Sequence, residues 1–349
     1  MHELHEVRDS MKLLTRADSS VLSFVVITLV ICLSAMFLCP STLGAQSQSH
    51  RRVTIAYPTL VPLIAGLWMA KEIGAFEKYG QSAELLFISS GPTTVQAMIG
   101  GYLDVSLAAS NAVIQSILGG APLIAVGSIT NRPAMSLWVQ PDVTRADQLE
   151  GKIFGVTRLG SATHFLTMMV IEKLGLQNKV RIQPFGGGTE ADSAFRMGMV
   201  AGRVGSIRPG PKARMMLDLS KSDIPFSMDL IAVKREFLKS APKTVEGILR
   251  AYIEGVVAMR INKPKAVQVI GKYMRLSPEV VGEQIMSENY DYAYNSIDVE
   301  PKVEPAVIET VLNWAGKSNV RAEEFFDNTI VDRILHEGFI NDLYKRGGR

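Results

Sequence analysis

The sequence predicts an α/β protein with two lobes, each a mostly parallel sheet flanked by helices, followed by a helical C-terminal region. Three observations carry this. Short apolar, β-rich runs alternate with helical segments of about ten residues, which implies strands joined by crossover helices. That alternation occurs in two blocks, roughly 52–134 and 142–225. From Ala241 onward the pattern is helical only.

In the first block, RRVTIAYP (51–58) alternates and ends at Tyr57-Pro58, the pattern of a half-buried strand. Residues 63–80 have helical spacing and glycine exits, and SAELLFIS (82–89) is the next strand. PTTVQAMIGG places Pro92 at a first helical position and Gly100 at the stop. DVSLAAS is a strand, 111–120 a short helix with the same glycine stop, and 122–129 a strand. The second block repeats the rhythm: strand 151–157, helix 161–176, strand 179–185, helix 189–198 and a weak strand at 202–208. Two extended apolar segments, MSLWVQPDV after the first block and MDLIAVKREFL after the second, are the candidates for crossings between lobes. Helices are expected at 242–261, 264–275, 278–289, 303–316 and 329–345. The lobes are expected as 52–138 with 236–345, and 139–235.

In open α/β sheets ligands bind beyond the carboxyl ends of strands, where helix N-termini point N–H groups outward. The candidates are therefore strand ends. From the first block they are Tyr57, Thr59, Ser90, Gly91, Ser110 and Asn111; from the second, Arg158, Ser161, Ala162, Thr163, Gly187 and Arg208. Simple helix caps explain Ser90 and Ser161 as well as binding does. Arg132, Arg158 and Arg208 fall at or near strand exits, where a guanidinium clamps a carboxylate or sulfonate, although solvated loop arginines have the same look. Thr189 with Asp192 fits a capping-box-like helix start, which makes these polar groups structural. FGGGTEAD (185–192) lacks the spacing and lysine of a phosphate loop. His164 has no nucleophile at useful spacing, so no catalytic triad is expected, and no His/Asp/Glu spacing suggests a metal. No cofactor is expected.

The chain has 349 residues, 47% hydrophobic and 20% charged, with a net charge of +3. That is an ordinary globular balance with room for two domains, and no basic run or aromatic-studded basic patch argues for nucleic acid. The N-terminus differs. Lys12 and Arg16 precede an uncharged run, Val21 to Cys39, and small or polar residues follow. This is the layout of a secretory signal over 1–45, cleaved after Ala45, with a retained membrane anchor at 21–39 as the rival. Met11 rivals Met1 as the start. Both cysteines lie in this segment, so a chain cleaved after Ala45 has neither disulfide nor Cys nucleophile.

The stretch GLWMAKEIGAFEKYGQSAELLFISSGPTTVQAMIGGYLDVSLA carries Gly74, Phe76, Lys78 and Gly80, then Gly101 and Asp104-Val105. ADQLEGKIFGV, GSATHF and EKLGL follow in the second half. This ordered series, over about 52–260, resembles the solute-binding proteins of ABC importers for nitrate, sulfonates and taurine. Their superfamily also holds the thiamine-pyrimidine synthase-like proteins. One departure is Ala201-Gly202 where the family pattern has Asp-Ala, which bears on the geometry of the second lobe.

The resemblance implies a periplasmic-binding-protein type II fold, with ligand trapped between lobes by hinge closure near 135–140 and 229–238. It implies an exported, periplasmic, non-enzymatic and monomeric protein. Such a protein would capture a small anionic organic ligand, a sulfonate or carboxylate, and deliver it to the transmembrane subunits of an ABC permease. The membrane would be reached only through the N-terminal segment or that permease. Two alternatives stay open: a membrane-tethered ligand-sensing module, and a pyrimidine-synthase-like enzyme.

Overall fold

The computed structural model describes residues 51–347. The expected signal or anchor, with both cysteines, lies outside them. Among the described residues no helix is long and apolar enough to cross a membrane.

The first sheet contains β1 (Arg51–Tyr57), β2 (Gln81–Phe87), β3 (Val105–Ala108) and β4 (Leu123–Ser128), joined by a later strand, β10 (Leu230–Lys234). Its order is β2-β1-β3-β10-β4, and β10 runs antiparallel between β3 and β4 while the other four share one direction. The connecting helices are α1 (Ala65–Glu72), α2 (Ala75–Lys78), α3 (Gly91–Ile99) and α4 (Ser110–Leu118). The periodicity over 63–80 reads as one helix, but Gly74, at φ 69°, divides it into α1 and α2. Only glycine takes that conformation without steric penalty.

The second sheet holds β5 (Ser136–Val139), β6 (Ile153–Val156), β7 (Arg181–Pro184), β8 (Gly202–Gly205) and β9 (Arg214–Asp218). Its order is β7-β6-β8-β5-β9, and here β5 is the antiparallel strand. Helices α5 (Ala162–Lys173) and α6 (Gly188–Arg196) flank it. Strand β9 was not expected. It is a largely open edge strand that buries too little to show a period. The chain passes between sheets twice, between Ser128 and Ser136 and between Asp218 and Leu230. Each pass ends as the antiparallel strand of the sheet it enters, so both apolar segments read as crossings become strands.

The departure at Ala201-Gly202 leaves β8 intact. Gly202 pairs with both Val139 and Phe154, and the Ala201 N–H donates to the Ile153 carbonyl at 2.9 Å. A Cβ at Gly202 would lie 2.9 Å from the Phe154 ring, so glycine here lets that buried ring pack flat on the strand.

The C-terminal region is α7 (Arg235–Ser240), α8 (Pro242–Ile261), α9 (Lys263–Met274), α10 (Pro278–Ser296), α11 (Pro305–Trp314), α12 (Thr329–His336) and α13 (Phe339–Gly347). The expected helix over 329–345 is two helices, because Gly338 turns the chain at φ 71°. Helix α8 packs on α1 with almost no side chain between them: the ideal Cβ position of Gly255 overlaps the Gly66 carbonyl oxygen and lies 2.6 Å from the Ala70 nitrogen.

Candidate functional site

A cavity of about 250 Å³ lies between the two sheets, at the ends of the strands and against the returning crossing. Three helix N-termini reach it. From the first lobe come Ser90 and Gly91 at the start of α3; from the second, Ser161, Ala162 and Thr163 at the start of α5, and Gly188 with Thr189 at the start of α6. The first-turn N–H groups of a helix have no intrahelical partner and carry the positive end of its dipole, so this convergence suits a negatively charged group.

Ser90 is held at φ 79°, ψ 133°, a region that L side chains rarely occupy. Its N–H donates to the Pro58 carbonyl at 3.0 Å, and its own carbonyl accepts from Thr93 and Thr94. Its buried Oγ has no hydrogen-bond partner and does not cap α3. Ser161 does cap its helix: its Oγ accepts from the His164 N–H at 3.3 Å, donates to the Arg158 carbonyl at 2.7 Å, and joins Thr157 and Thr163 in a hydroxyl cluster. Capping and lining the cavity coincide there.

Six of the twelve expected residues therefore line one cavity: Thr59, Ser90, Gly91, Ser161, Ala162 and Thr163. The others lie elsewhere. Tyr57 is buried behind it, edge-on to Trp68 at 5.9 Å, and Phe87 of β2 lines the cavity instead. Ser110 and Asn111 open α4 directly after the lining residue Ala109. The Asn111 amide donates across to the Gly160 carbonyl at 2.7 Å, which ties the two lobes together. Ser89 Oγ makes a longer bond to Gly186, at 3.4 Å. Arg158 is exposed and contributes its carbonyl to the Ser161 cap. Gly187 is the buried N-cap of α6, one residue before the lining Gly188. Arg208 lies over the Trp138 ring at 5.5 Å, and Arg132 is engaged by Asp298 and the Asn295 carbonyl.

The arginine that does line the cavity is Arg203, inside β8 rather than at a strand exit. It is nearly fully buried, pairs with Asp192 of α6, and donates to the Gly188 carbonyl at 3.2 Å. Asp192 therefore does not cap α6; it binds the helix to β8. Burial pushes the Asp192 carboxyl upward and the Arg203 guanidinium downward, and the charge of each opposes the shift of the other. Gly205 makes the arrangement feasible, since a Cβ there would sit 2.7 Å from the guanidinium.

Asp229 is the second residue the sequence reading missed. It stands on the returning crossing, immediately before β10, and its side chain faces the same cavity. Burial pushes its carboxyl well above the usual carboxylate range. Its only sequence signal is a lone acid at the start of an apolar strand. His164 is not a free base: its Nδ1 accepts from the Gly160 N–H at 3.2 Å, and burial holds the imidazole below its ordinary value, in keeping with a neutral acceptor.

The family model described as NMT1/THI5 like matches residues 61–266, more than half of the chain. This chain belongs to the NMT1/THI5-like family. No curated protein sequence matches it. Among solved structures it is similar to a protein from Bordetella bronchiseptica, at 17% identity and a TM-score of 0.70, over 82% of this chain and 97% of that one. It is also similar to the periplasmic aliphatic sulphonate binding protein SsuA from Escherichia coli, at 17% identity and a TM-score of 0.62, over 77% and 88%. The periplasmic nitrate-binding protein NrtA from Synechocystis PCC 6803 matches at 12% identity and a TM-score of 0.64, over 82% and 88%. At such identities the likeness establishes the fold, that of the periplasmic binding proteins of type II.

Proposed function

We propose that this protein captures a small organic anion, a sulfonate or carboxylate, between its lobes and presents it to the transmembrane subunits of an ABC importer. In this reading the protein acts outside the inner membrane as a single copy. Residues 21–39 serve as export signal or anchor. The observation that carries it is the distribution of unsatisfied polar atoms. Buried polar groups are nearly always hydrogen-bonded. Here Thr59 Oγ1, Ser90 Oγ, Arg203 Nε and Asp229 Oδ1 are buried without partners, and all four residues line the same cavity. Ser110 Oγ and Asn111 Oδ1, beside it, are unpartnered too. A ligand that supplies these partners is bound by several hydrogen bonds and helix N-termini rather than by one charge pair. The strain at Ser90 points the same way, since such outliers cluster at ligand clamps.

The capture residues we assign are Thr59, Ser90 and Gly91 from one lobe and Ser161, Ala162 and Thr163 from the other, with the two sheets as the moving bodies. The Asn111 bond to Gly160 holds the closed arrangement. The enzyme reading has no comparable support: the hydroxyl cluster at Ser161 is directed at backbone and at itself, and His164 Nδ1 is engaged.

The test is binding to a panel of small sulfonates and carboxylates, measured by thermal shift and calorimetry, in wild type and Ser90→Gly. Glycine relieves the backbone strain and deletes the hydroxyl. The variant is expected to match or exceed wild-type stability by up to about 1 kcal/mol, because strain of this kind is worth about 1–3 kcal/mol and glycine gives part of it back as unfolded-state entropy. Its affinity is expected to fall about fivefold to tenfold, the loss of one buried hydrogen bond. Unchanged affinity would place the ligand elsewhere.

A further inference from the structure

We propose that Trp314 and Phe165 are positioning residues for ligand capture. Their rings meet across the two lobes, outside the cavity, and favour the closed arrangement before any ligand arrives. They thereby raise the affinity for every ligand alike without touching one. This deepens the reading of capture between the lobes and rests on it.

Helix α5 carries the contact. Its start supplies Ser161, Ala162 and Thr163 to the cavity. A helix on the outside of a sheet usually buries a single apolar stripe. In α5, Phe165, Leu166 and Thr167 are buried in succession, and three consecutive residues spread over about 200° of a helix. The helix packs on β6 and β8 of its own sheet and also on α4 of the first lobe. Phe165, 3% exposed, belongs to an aromatic group assembled from three places. Its ring stacks on Phe226 of the returning crossing, with centroids 5.4 Å apart and planes at 16°. It meets Trp314, the last residue of α11, at 5.5 Å and 64°, edge to face. Phe226 is fully buried, and its N–H donates to the Asn131 carbonyl of the other crossing at 3.2 Å. Helix α11 packs on α4, which places Trp314 with the first lobe.

One aromatic cluster thus joins the second lobe, the hinge and the first lobe, and none of its three rings lines the cavity. The Asn111 bond to Gly160 crosses between α4 and the loop that opens α5, so the polar and the aromatic contacts form and break together. Opening parts Phe165 from Trp314 and gives a buried phenyl ring to water, which is unfavourable. A well-placed ring pair shifts an equilibrium by about twofold to tenfold beyond the area it buries. Apparent affinity scales with the fraction of molecules already in the binding-competent arrangement. The factor is therefore common to all ligands, whereas loss of a lining residue changes their ranking.

The experiment compares wild type with Trp314→Leu, which keeps apolar bulk and removes the ring, with Phe165→Leu, and with the double variant. Small-angle scattering without ligand reads closure. Calorimetry and stopped-flow mixing with propanesulfonate and butyrate read binding. Without ligand, Trp314→Leu is expected to have a larger radius of gyration than wild type. Its affinity for both probes falls by one common factor, about twofold to tenfold, through faster dissociation. The double variant loses no more affinity than Phe165→Leu, because Trp314 acts through that ring. The inference is overturned if the ligand-free scattering of Trp314→Leu matches wild type, or if the two probes lose affinity by clearly different factors. A variant that melts lower while its scattering and dissociation rates keep their wild-type values marks ordinary packing and also overturns it. If neither probe binds wild type, the reading of the cavity as an organic-anion site falls, and the ligand-free scattering still decides whether the ring contact favours closure.

Discussion

Replacing Arg203 with methionine is expected to lower stability by about 3–5 kcal/mol, the usual result of removing one partner from a buried ion pair. The side chains of Arg203 and Asp192 are only 6% and 15% exposed, so solvent does little to screen the charge left behind. The damage has a defined place. Arg203 also holds the Gly188 carbonyl, so without it the N-terminus of α6 loses its tie to β8 exactly where that helix meets the cavity. The double variant Arg203→Met, Asp192→Leu separates the two effects. Replacing both members of a buried pair with apolar residues is often nearly neutral. The double variant is therefore expected to recover most of the stability while ligand affinity stays low, since the N-terminus of α6 remains unanchored. Urea unfolding of the three proteins checks this; a single-variant loss below about 1 kcal/mol, the level of an exposed pair, contradicts it.

The second large effect is expected at a distance from the cavity. Gly255→Ala inserts a methyl where α8 and α1 touch, against the Gly66 carbonyl and the Ala70 nitrogen. Overpacking typically destabilises by about 1–3 kcal/mol, and the upper end applies where the opposing atoms are backbone and cannot rotate away. The helices must separate, which loosens the buried Leu67, Trp68 and Val256 around the contact. Affinity per folded molecule is expected to stay at the wild-type level, because neither helix lines the cavity. A midpoint shift in urea worth less than about 0.5 kcal/mol, the range of an ordinary surface change, contradicts the account of this contact.

Much of this architecture was legible before any coordinates, for a physical reason. Crossover helices and parallel strands leave local signals: apolar runs, proline at first helical turns, glycine at stops. Those signals placed α3, α4 and α5, and with them the strand ends at Ser90 and Ser161. What escaped the sequence is what depends on contacts between distant elements. Strand β9 has no period because it forms an open edge. The helix read over 329–345 breaks at Gly338, where backbone conformation outweighs the apolar spacing. Arg132, Arg158 and Arg208 sit near strand exits, yet none lines the cavity: Arg132 pairs with Asp298, Arg208 lies over the Trp138 ring, and Arg158 is exposed. Arg203 was hidden inside a glycine-flanked weak strand, and its meaning arises only when Asp192, on another element, reaches it. Asp229 was hidden in an apolar crossing, and its burial without a partner is a tertiary fact.

The central claim is that the cavity between the sheets holds a small molecule. Native mass spectrometry tests it most directly, comparing protein purified gently from an exporting host with the same protein after unfolding and refolding. The account predicts an added mass of a small organic anion in the first sample that is absent from the second and restored by adding the identified compound. Identical masses in both samples, with no thermal shift across sulfonates and carboxylates, would contradict it.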